Sequence, residues 1–365
     1  MIPVFKPWMD EQEIDEVRKV IESGWIGLGP KTKEFEEELS KFFQSNVSVV
    51  NSCTSALDLT LKLLGVGAGD EVIVPAVTFV STAHAVKYNL ATPVFADVDY
   101  ETLLIDIQDV KKKITPRTKA IIPVHYAGRM VNIEKLREQV GDIKIIEDCA
   151  HAMGTSFNGK KSGTFGDAGC FSFHAVKNLA MGDGGAIVSQ DKEIIDRSKK
   201  LRWLGIDKGT WTRTDSNKSY WWEYGVEDIG LKCHANDILS AIGLVQLYKL
   251  EEANNLRKHR VQRYIAELSS IEQIELPQYD DESSWHLFCI KCEKRDELSL
   301  YLKENGVSTG VHYKPIHLYT CYGNIPRLPV AELIFEKILT LPLFPSLTDS
   351  ELQKIIFLIH KFYDT

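Results

Sequence analysis

Ile143-Lys144-Ile145-Ile146-Glu147-Asp148, followed by Cys149-Ala150-His151-Ala152-Met153-Gly154, is a short apolar run that ends in two carboxylates and turns through small residues. A run of this length reads as a buried strand. Carboxylates at the carboxyl end of such a strand face the crevice in which open α/β sheets bind ligands, which makes Asp148 a candidate contact. An isolated Asp in this place serves more often as a helix N-cap. Working outward, strand-like runs at 47–50, 71–74, 93–97, 119–124 and 143–147 alternate with helix-like runs such as 78–90 and 132–139. That alternation predicts a largely parallel sheet flanked by helices, an α/β fold.

Two further stretches carry chemistry. Cys170-Phe171-Ser172-Phe173-His174-Ala175-Val176-Lys177-Asn178 leads into Gly182-Asp183-Gly184-Gly185-Ala186. A lysine after an apolar, aromatic strand and before a loop of small residues can be held in a pocket, where desolvation lowers its pKa and frees its lone pair for Schiff-base chemistry. Most lysines are solvated, so Lys177 alone decides nothing. Near the amino end, Ser52-Cys53-Thr54-Ser55 lies between a strand ending at Asn51 and a helix over 55–64. Small hydroxyl residues opening a helix present free N–H groups and the positive end of the dipole, which bind phosphate without Lys or Arg. Ordinary capping explains Ser52 and Thr54 equally well. Pyridoxal phosphate would ask for all three features: an amine, a phosphate cradle and a permanent carboxylate beside its ring nitrogen.

Five motifs in order, Asn51-Ser52-Cys53-Thr54-Ser55-Ala56-Leu57, Pro75-Ala76-Val77-Thr78-Phe79, Glu147-Asp148-Cys149-Ala150-His151, Phe171-Ser172-Phe173-His174 with Lys177-Asn178, and His312-Tyr313 with Pro315-Ile316-His317, resemble the DegT/DnrJ/StrS family of sugar aminotransferases. The resemblance covers essentially the whole chain. It implies an aspartate aminotransferase-like architecture, fold type I among pyridoxal phosphate enzymes: a large α/β domain with a mostly parallel central sheet over residues 1–245, including an N-terminal arm, and a smaller C-terminal α+β domain over 246–365. It implies pyridoxal 5'-phosphate as cofactor and a homodimer whose chains share active sites.

Carried over residue by residue, the resemblance makes Lys177 the Schiff-base lysine and proton shuttle, with Asp148 as partner of the ring nitrogen. Thr54, Ser55 and Ser172 would bind the phosphate, Phe79 would stack on the ring and His151 would sit near the ring hydroxyl. His312, Tyr313 and His317 would approach the substrate, although a structural turn explains that stretch as well. Relatives usually supply an Asn and an Arg from a partner chain, where Gly230-Leu231-Lys232-Cys233-His234 places Lys232 and His234. Lys232 would serve the cofactor phosphate as a point charge. His234 stands where an Arg would clamp a donor's carboxylate. The implied activity is amino transfer from an amino acid, by family habit L-glutamate, to a 3-keto or 4-keto group of a nucleotide-linked deoxysugar. The alternatives are a keto-cyclitol or keto sugar phosphate acceptor, or a cofactor-binding regulator without turnover. The family's dehydratases carry His where Lys177 stands, which favours transamination.

The chain has 365 residues, 44% of them hydrophobic, enough for two substantial cores. Acids outnumber bases to give a net charge of -8, and no basic stripe suggests nucleic acid. An anionic sugar nucleotide then needs local cations, for which Lys314 and Arg213 are candidates. The opening Met1-Ile2-Pro3-Val4-Phe5-Lys6-Pro7 is unlike a signal peptide. No segment reaches the roughly 18 apolar residues of a membrane span. Seven cysteines, an odd number, suit a reducing compartment, so a cytoplasmic location is expected. Cys289 and Cys292 form a CxxC without a second pair at zinc spacing, so no metal is expected. Gly27-Leu28-Gly29 lacks the third glycine and preceding strand of a dinucleotide fingerprint. The tryptophan-rich stretch 207–222 reads as a loop that closes over substrate or packs against a partner. From Asp237 to about 271 a helical pattern predicts a long connector between the domains.

Overall fold

The computed structural model describes residues 1–207 and 224–364. Residues 208–222 of the tryptophan-rich stretch, with Arg213, lie outside the described residues.

Helices α1 (Glu11–Ser23) and α2 (Pro30–Phe43) lead into the central sheet. Its strands are β1 (Asn46–Val50), β2 (Glu71–Pro75), β3 (Thr92–Ala96), β4 (Thr118–Ile121), β5 (Lys144–Asp148), then, after the small hairpin β6 (Ser156–Phe157) and β7 (Lys160–Lys161), β8 (Ala168–Ser172) and β9 (Gly185–Ser189). They stand in the order β1-β9-β8-β5-β4-β2-β3. Strand β9 runs against both of its neighbours, and the other pairs are parallel. Strands covered on both faces read as unbroken apolar runs because neither face meets water; every residue of β8 and β9 is buried.

The connecting helices are α3 (Cys53–Leu63), α4 (Ser81–Tyr88), α5 (Ile107–Lys113), α6 (Ile133–Val140) and α7 (Lys192–Leu201). The helix read over 78–90 starts only at Ser81, which leaves Thr78 and Phe79 in the loop after β2 and free to face the crevice. The helix read over 132–139 starts where Asn132 caps it by accepting the Lys135 N–H at 2.8 Å.

The long connector is α8 (Asp237–Leu268). Leu244 and Leu250 in its first half pack with Phe35, Leu39 and Met181 of the large unit. In its second half, Val261, Tyr264 and Leu268 pack with Phe288 and Ile290 in a separate core. This second core sits on the antiparallel sheet of β10 (Ile274–Glu275), β11 (Phe288–Cys292) and β12 (Ile338–Leu341) and under α9 (Arg295–Glu304) and α11 (Asp349–Tyr363); α10 (Pro329–Lys337) instead leans on the large unit. Ile2 is buried in the second core too, with its N–H on Gly306 O at 2.8 Å, so the first residues of the chain are pinned to the smaller unit. None of the described helices is long and apolar enough to cross a membrane.

Candidate active site

The carboxyl ends of β5 and β8, the first turn of α3 and the loop after β2 converge on a cavity of about 380 Å3. Lys177, Asp148, Thr54, Ser172, His151, Phe79, His312 and Tyr313 are all on its wall, although they come from five separate stretches. Lys177 follows β8 in a turn closed by its own N–H on His174 O at 2.9 Å. The next residue anchors that turn: Asn178 Nδ2 donates to Asn254 Oδ1 of α8 and to Ser284 O, both at 2.8 Å. The side chain of Lys177 is half-buried, and burial around its amine pulls the pKa down to about 8, against the opposing pull of Cys53 and Asp148.

Asp148 is 4% exposed. Its Oδ1 accepts the Ala150 N–H at 3.1 Å and its Oδ2 the Thr82 hydroxyl at 2.9 Å. Burial outweighs these bonds and raises its pKa, so the carboxylate is short of positive partners. His151 accepts the Ala127 N–H at Nδ1 (3.4 Å), which puts its proton on Nε2, 3.0 Å from Tyr313 Oη. Burial holds His151 neutral, well below the usual histidine range, and holds His312 down to about 4. His312 Nδ1 lies 2.8 Å from Thr340 Oγ1, and the peptide bond joining His312 to Tyr313 is cis.

The turn opening α3 is pressed against the start of β9. A Cβ on Gly185 would stand 2.5 Å from Ser52 C and 2.6 Å from Cys53 N, so only glycine lets the two backbones meet there. Ser52 Oγ accepts the Ser55 N–H at 3.1 Å, while the first-turn N–H groups at Cys53 and Thr54 open on the cavity. Ser55 is not on the wall, because its N–H is spent on Ser52 and its hydroxyl on Asn51 Oδ1 at 2.8 Å. Thr54 Oγ1 lies 2.7 Å from Ser81 Oγ, which adds a hydroxyl from α4 to the same corner. A phosphate at these N–H and hydroxyl groups, a ring nitrogen at Asp148 and an aldehyde at Lys177 would meet the donor, acceptor and amine each requires, so these residues fit pyridoxal phosphate.

Besides Ser55, three expected residues lie elsewhere. Lys232 holds its ammonium 3.8 Å from the Trp203 ring centroid, and His234 packs on the same ring at 4.4 Å with Nδ1 2.6 Å from Ala235 O. Both belong to a segment bridged to the end of β1 and to Trp203, outside the cavity. His317 is buried with Nε2 3.3 Å from Glu332 Oε1. Phe79 is on the wall but 56% exposed, at the mouth, with its ring 6.0 Å from that of Tyr313. Lys314 extends over Tyr319 at 5.0 Å.

Sequence reasoning missed Thr82, His286 and Phe5. Thr82 lies one helical turn after the quoted Thr78, whose hydroxyl it meets at 2.9 Å, and that spacing was the available signal. His286 sits 3.4 Å from Lys177 Nζ across 109 residues, and Phe5 stacks on it at 5.5 Å; nothing local to either residue announces it. His125, Glu147 and Cys149 bring metal-ligand atom types within 4.8 Å of one another, but Glu147 is already filled by three backbone N–H groups and His125.

Comparison with known proteins agrees with this geometry. The family model of the DegT/DnrJ/EryC1/StrS aminotransferases matches residues 7–360. The spore coat polysaccharide biosynthesis protein SpsC of Bacillus subtilis is 37% identical over 372 residues, 97% of this chain and 95% of its own. The crystal structure of the aminotransferase TlmJ from Streptoalloteichus hindustanus superposes with a TM-score of 0.92 at 36% identity, over 99% of this chain and 98% of that one. The PLP-form of Spr1654 from Streptococcus pneumoniae does so with a TM-score of 0.90 at 34% identity, over 100% and 98%. The chain belongs to the DegT/DnrJ/EryC1/StrS aminotransferase family and is a pyridoxal phosphate-dependent sugar aminotransferase of fold type I.

Proposed function

We propose that this enzyme transfers an amino group from L-glutamate to a 3-keto or 4-keto group of a nucleotide-linked deoxysugar, in a ping-pong sequence that uses Lys177 in both halves. The observation that carries the reading is an amine with its pKa drawn down to about 8, in a cavity that also presents the carboxylate of Asp148 and a helix N-terminus. Bound pyridoxal phosphate would supply the electron sink that makes the substrate's C–H acidic. Everything else falls to the chain. Thr54, Ser172 and the first N–H groups of α3 would hold the phosphate. Asp148, itself held by Thr82, would orient the ring through its nitrogen. His151 and Tyr313, bonded to each other, would take the ring hydroxyl. Lys177, whose amine loses its proton at about pH 8, would take the proton from the donor's α-carbon and pass it to the cofactor's C4′, and in the other half would move a proton from C4′ to the sugar carbon.

Because Lys232 and His234 point away from their own cavity, we assign them to the site of a second copy, Lys232 toward its phosphate and His234 toward the donor carboxylate. The cavity mouth, with Phe79 and Lys314 exposed beside it, suits a substrate whose anionic part stays outside. An absorbance spectrum between roughly 300 and 450 nm, where the cofactor's forms absorb, tests the reading. L-glutamate is expected to shift the yellow band toward the pyridoxamine form in wild type but not in Lys177→Ala, and a keto deoxysugar carrying a nucleoside diphosphate to reverse it. An unmoved band would reject glutamate as donor, reversal by the sugar phosphate alone would reject the nucleotide, and Lys177→Ala responding like wild type would remove Lys177 from the reaction.

A further inference from the structure

Two non-glycine residues with left-handed backbone meet beside His286, which is on the cavity wall. Ala127 has φ 58° and Trp285 has φ 47°. Such conformations are unfavourable for residues with a Cβ and persist only where the surroundings impose them, commonly at functional sites. Here they are tied together: the His286 N–H donates to Ala127 O at 3.0 Å, and the Ala127 N–H donates to His151 Nδ1 at 3.4 Å. Gly128 is wedged beneath, where a Cβ would stand 2.7 Å from Trp285 N. The Trp285 ring is held by its Nε1–H on Asp280 O at 2.8 Å. The strain therefore delivers one side chain, His286, whose Nε2 comes 3.4 Å from Lys177 Nζ.

His286 is 2% exposed and stacks nearly parallel to the Phe5 ring, at 6° and 5.5 Å. The His151 ring is 4.5 Å away. A lysine amine carries N–H donors whether charged or free, and with the His286 proton on Nδ1, Nε2 is the accepting atom that faces it at 3.4 Å. We propose that His286 is a positioning residue: its neutral imidazole accepts an N–H of the free Lys177 amine at Nε2 and so turns the nitrogen lone pair toward the substrate carbon. This rests on the reading of Lys177 as the reactive amine. Burial keeps His286 well below the usual histidine range, in agreement with an acceptor. The titratable groups facing the pair are Asp148 of β5 and Cys53 of α3 around Lys177, and His151, His312 and Arg257 of α8 around His286.

Two variants test it. His286→Phe keeps a ring against Phe5 and removes the acceptor; His286→Gln restores an acceptor. In the holoenzyme, the single-turnover half-reaction with L-glutamate is expected to slow on the order of tenfold in His286→Phe and to recover to within about threefold in His286→Gln. The second readout needs no cofactor chemistry: in the cofactor-free full-length chain, the pH dependence of Lys177 carbamylation by cyanate, followed by peptide mass spectrometry, reports the amine's own titration. Loss of the acceptor withdraws support from the ammonium, so the midpoint is expected to fall by about one pH unit in His286→Phe and to return in His286→Gln. A midpoint unmoved in His286→Phe, or His286→Gln matching His286→Phe in both readouts, overturns the proposal. If His286→Phe does not fold, His286→Leu takes its place as the variant without an acceptor: a midpoint lower by about one pH unit supports the proposal and an unmoved midpoint overturns it. The carbamylation arm stands even if another residue proves to move the proton, so failure of this proposal and failure of the proposed function are separately visible.

Discussion

Behind strand β5, Glu147 is fully buried, and its two oxygens take the N–H groups of Gly163, Phe165 and Gly166 together with His125 Nε2. In front of the same strand, in the cavity, Asp148 takes only the Ala150 N–H and the Thr82 hydroxyl. The two residues are adjacent in sequence, and strand alternation sends them to opposite faces. Burial penalises both charges alike, so the number of donors decides. Glu147 is held below the usual carboxylate range and Asp148 is pushed above it. One region has a carboxylate saturated by its own fold; the other keeps a carboxylate with two hydrogen-bond donors, on which the pull of Lys177 does not offset burial. A buried charge that serves structure is fully paired, and one left partly unpaired in a cleft is poised for a ligand.

The contrast can be broken from the cavity side first. Asp148→Asn is expected to lower transamination on the order of a thousandfold, measured in single turnover, because the ring nitrogen loses its counter-charge. The same change should stabilise the cofactor-free chain at neutral pH. With its pKa raised, folded Asp148 retains a proton that the unfolded chain has already released, so wild-type stability falls as pH rises through that window. Denaturation with urea at about pH 4 and pH 7 checks the sign, taking the ordinary carboxylate pKa near 4. An Asn variant less stable than wild type at the higher pH would place Asp148 with the scaffold.

On the other side, Glu147→Gln puts an amide among four donors and is expected to cost about 3 kcal/mol of stability, with the cofactor spectrum of the folded fraction unchanged. The linkage has the opposite sign here. A lowered pKa means that Glu147 contributes stability above the unfolded carboxylate pKa and loses it as pH falls through the lowered one. Smallest of all, Lys232→Ala, outside both regions, is expected to raise the cofactor Kd about tenfold, roughly 1.4 kcal/mol. Equilibrium titration with pyridoxal phosphate reads it, and an unchanged Kd would leave Lys232 as the cation over Trp203 and nothing more.

Much of the cavity was legible because its residues sit at strand ends and helix starts, where small, hydroxyl and acidic residues interrupt apolar runs. Lys177, Asp148, Thr54, Ser172 and His151 follow that grammar. Ser55 satisfied it equally and was turned aside by Ser52 and Asn51. The motif around His312-Tyr313 reached the wall, while His317, five residues beyond His312, was buried against Glu332. Asp148 was singled out from the sequence, while the part played by its neighbour Glu147 showed only in the loop at 163–166.

The sequence by itself determined the class of fold, the order of elements and most of the candidate chemistry, since periodicity, capping and turn composition act over a few residues. Only the tertiary structure decided which groups hold the reactive ones in place. Thr82 reaches Asp148 across 66 residues and His286 reaches Lys177 across 109. Those meetings depend on how α4, the turn at Ala127 and the irregular segment leading into β11 pack against the ends of β5 and β8. Contacts that distant leave no local pattern, because the free energy that selects them is released only when the whole core closes.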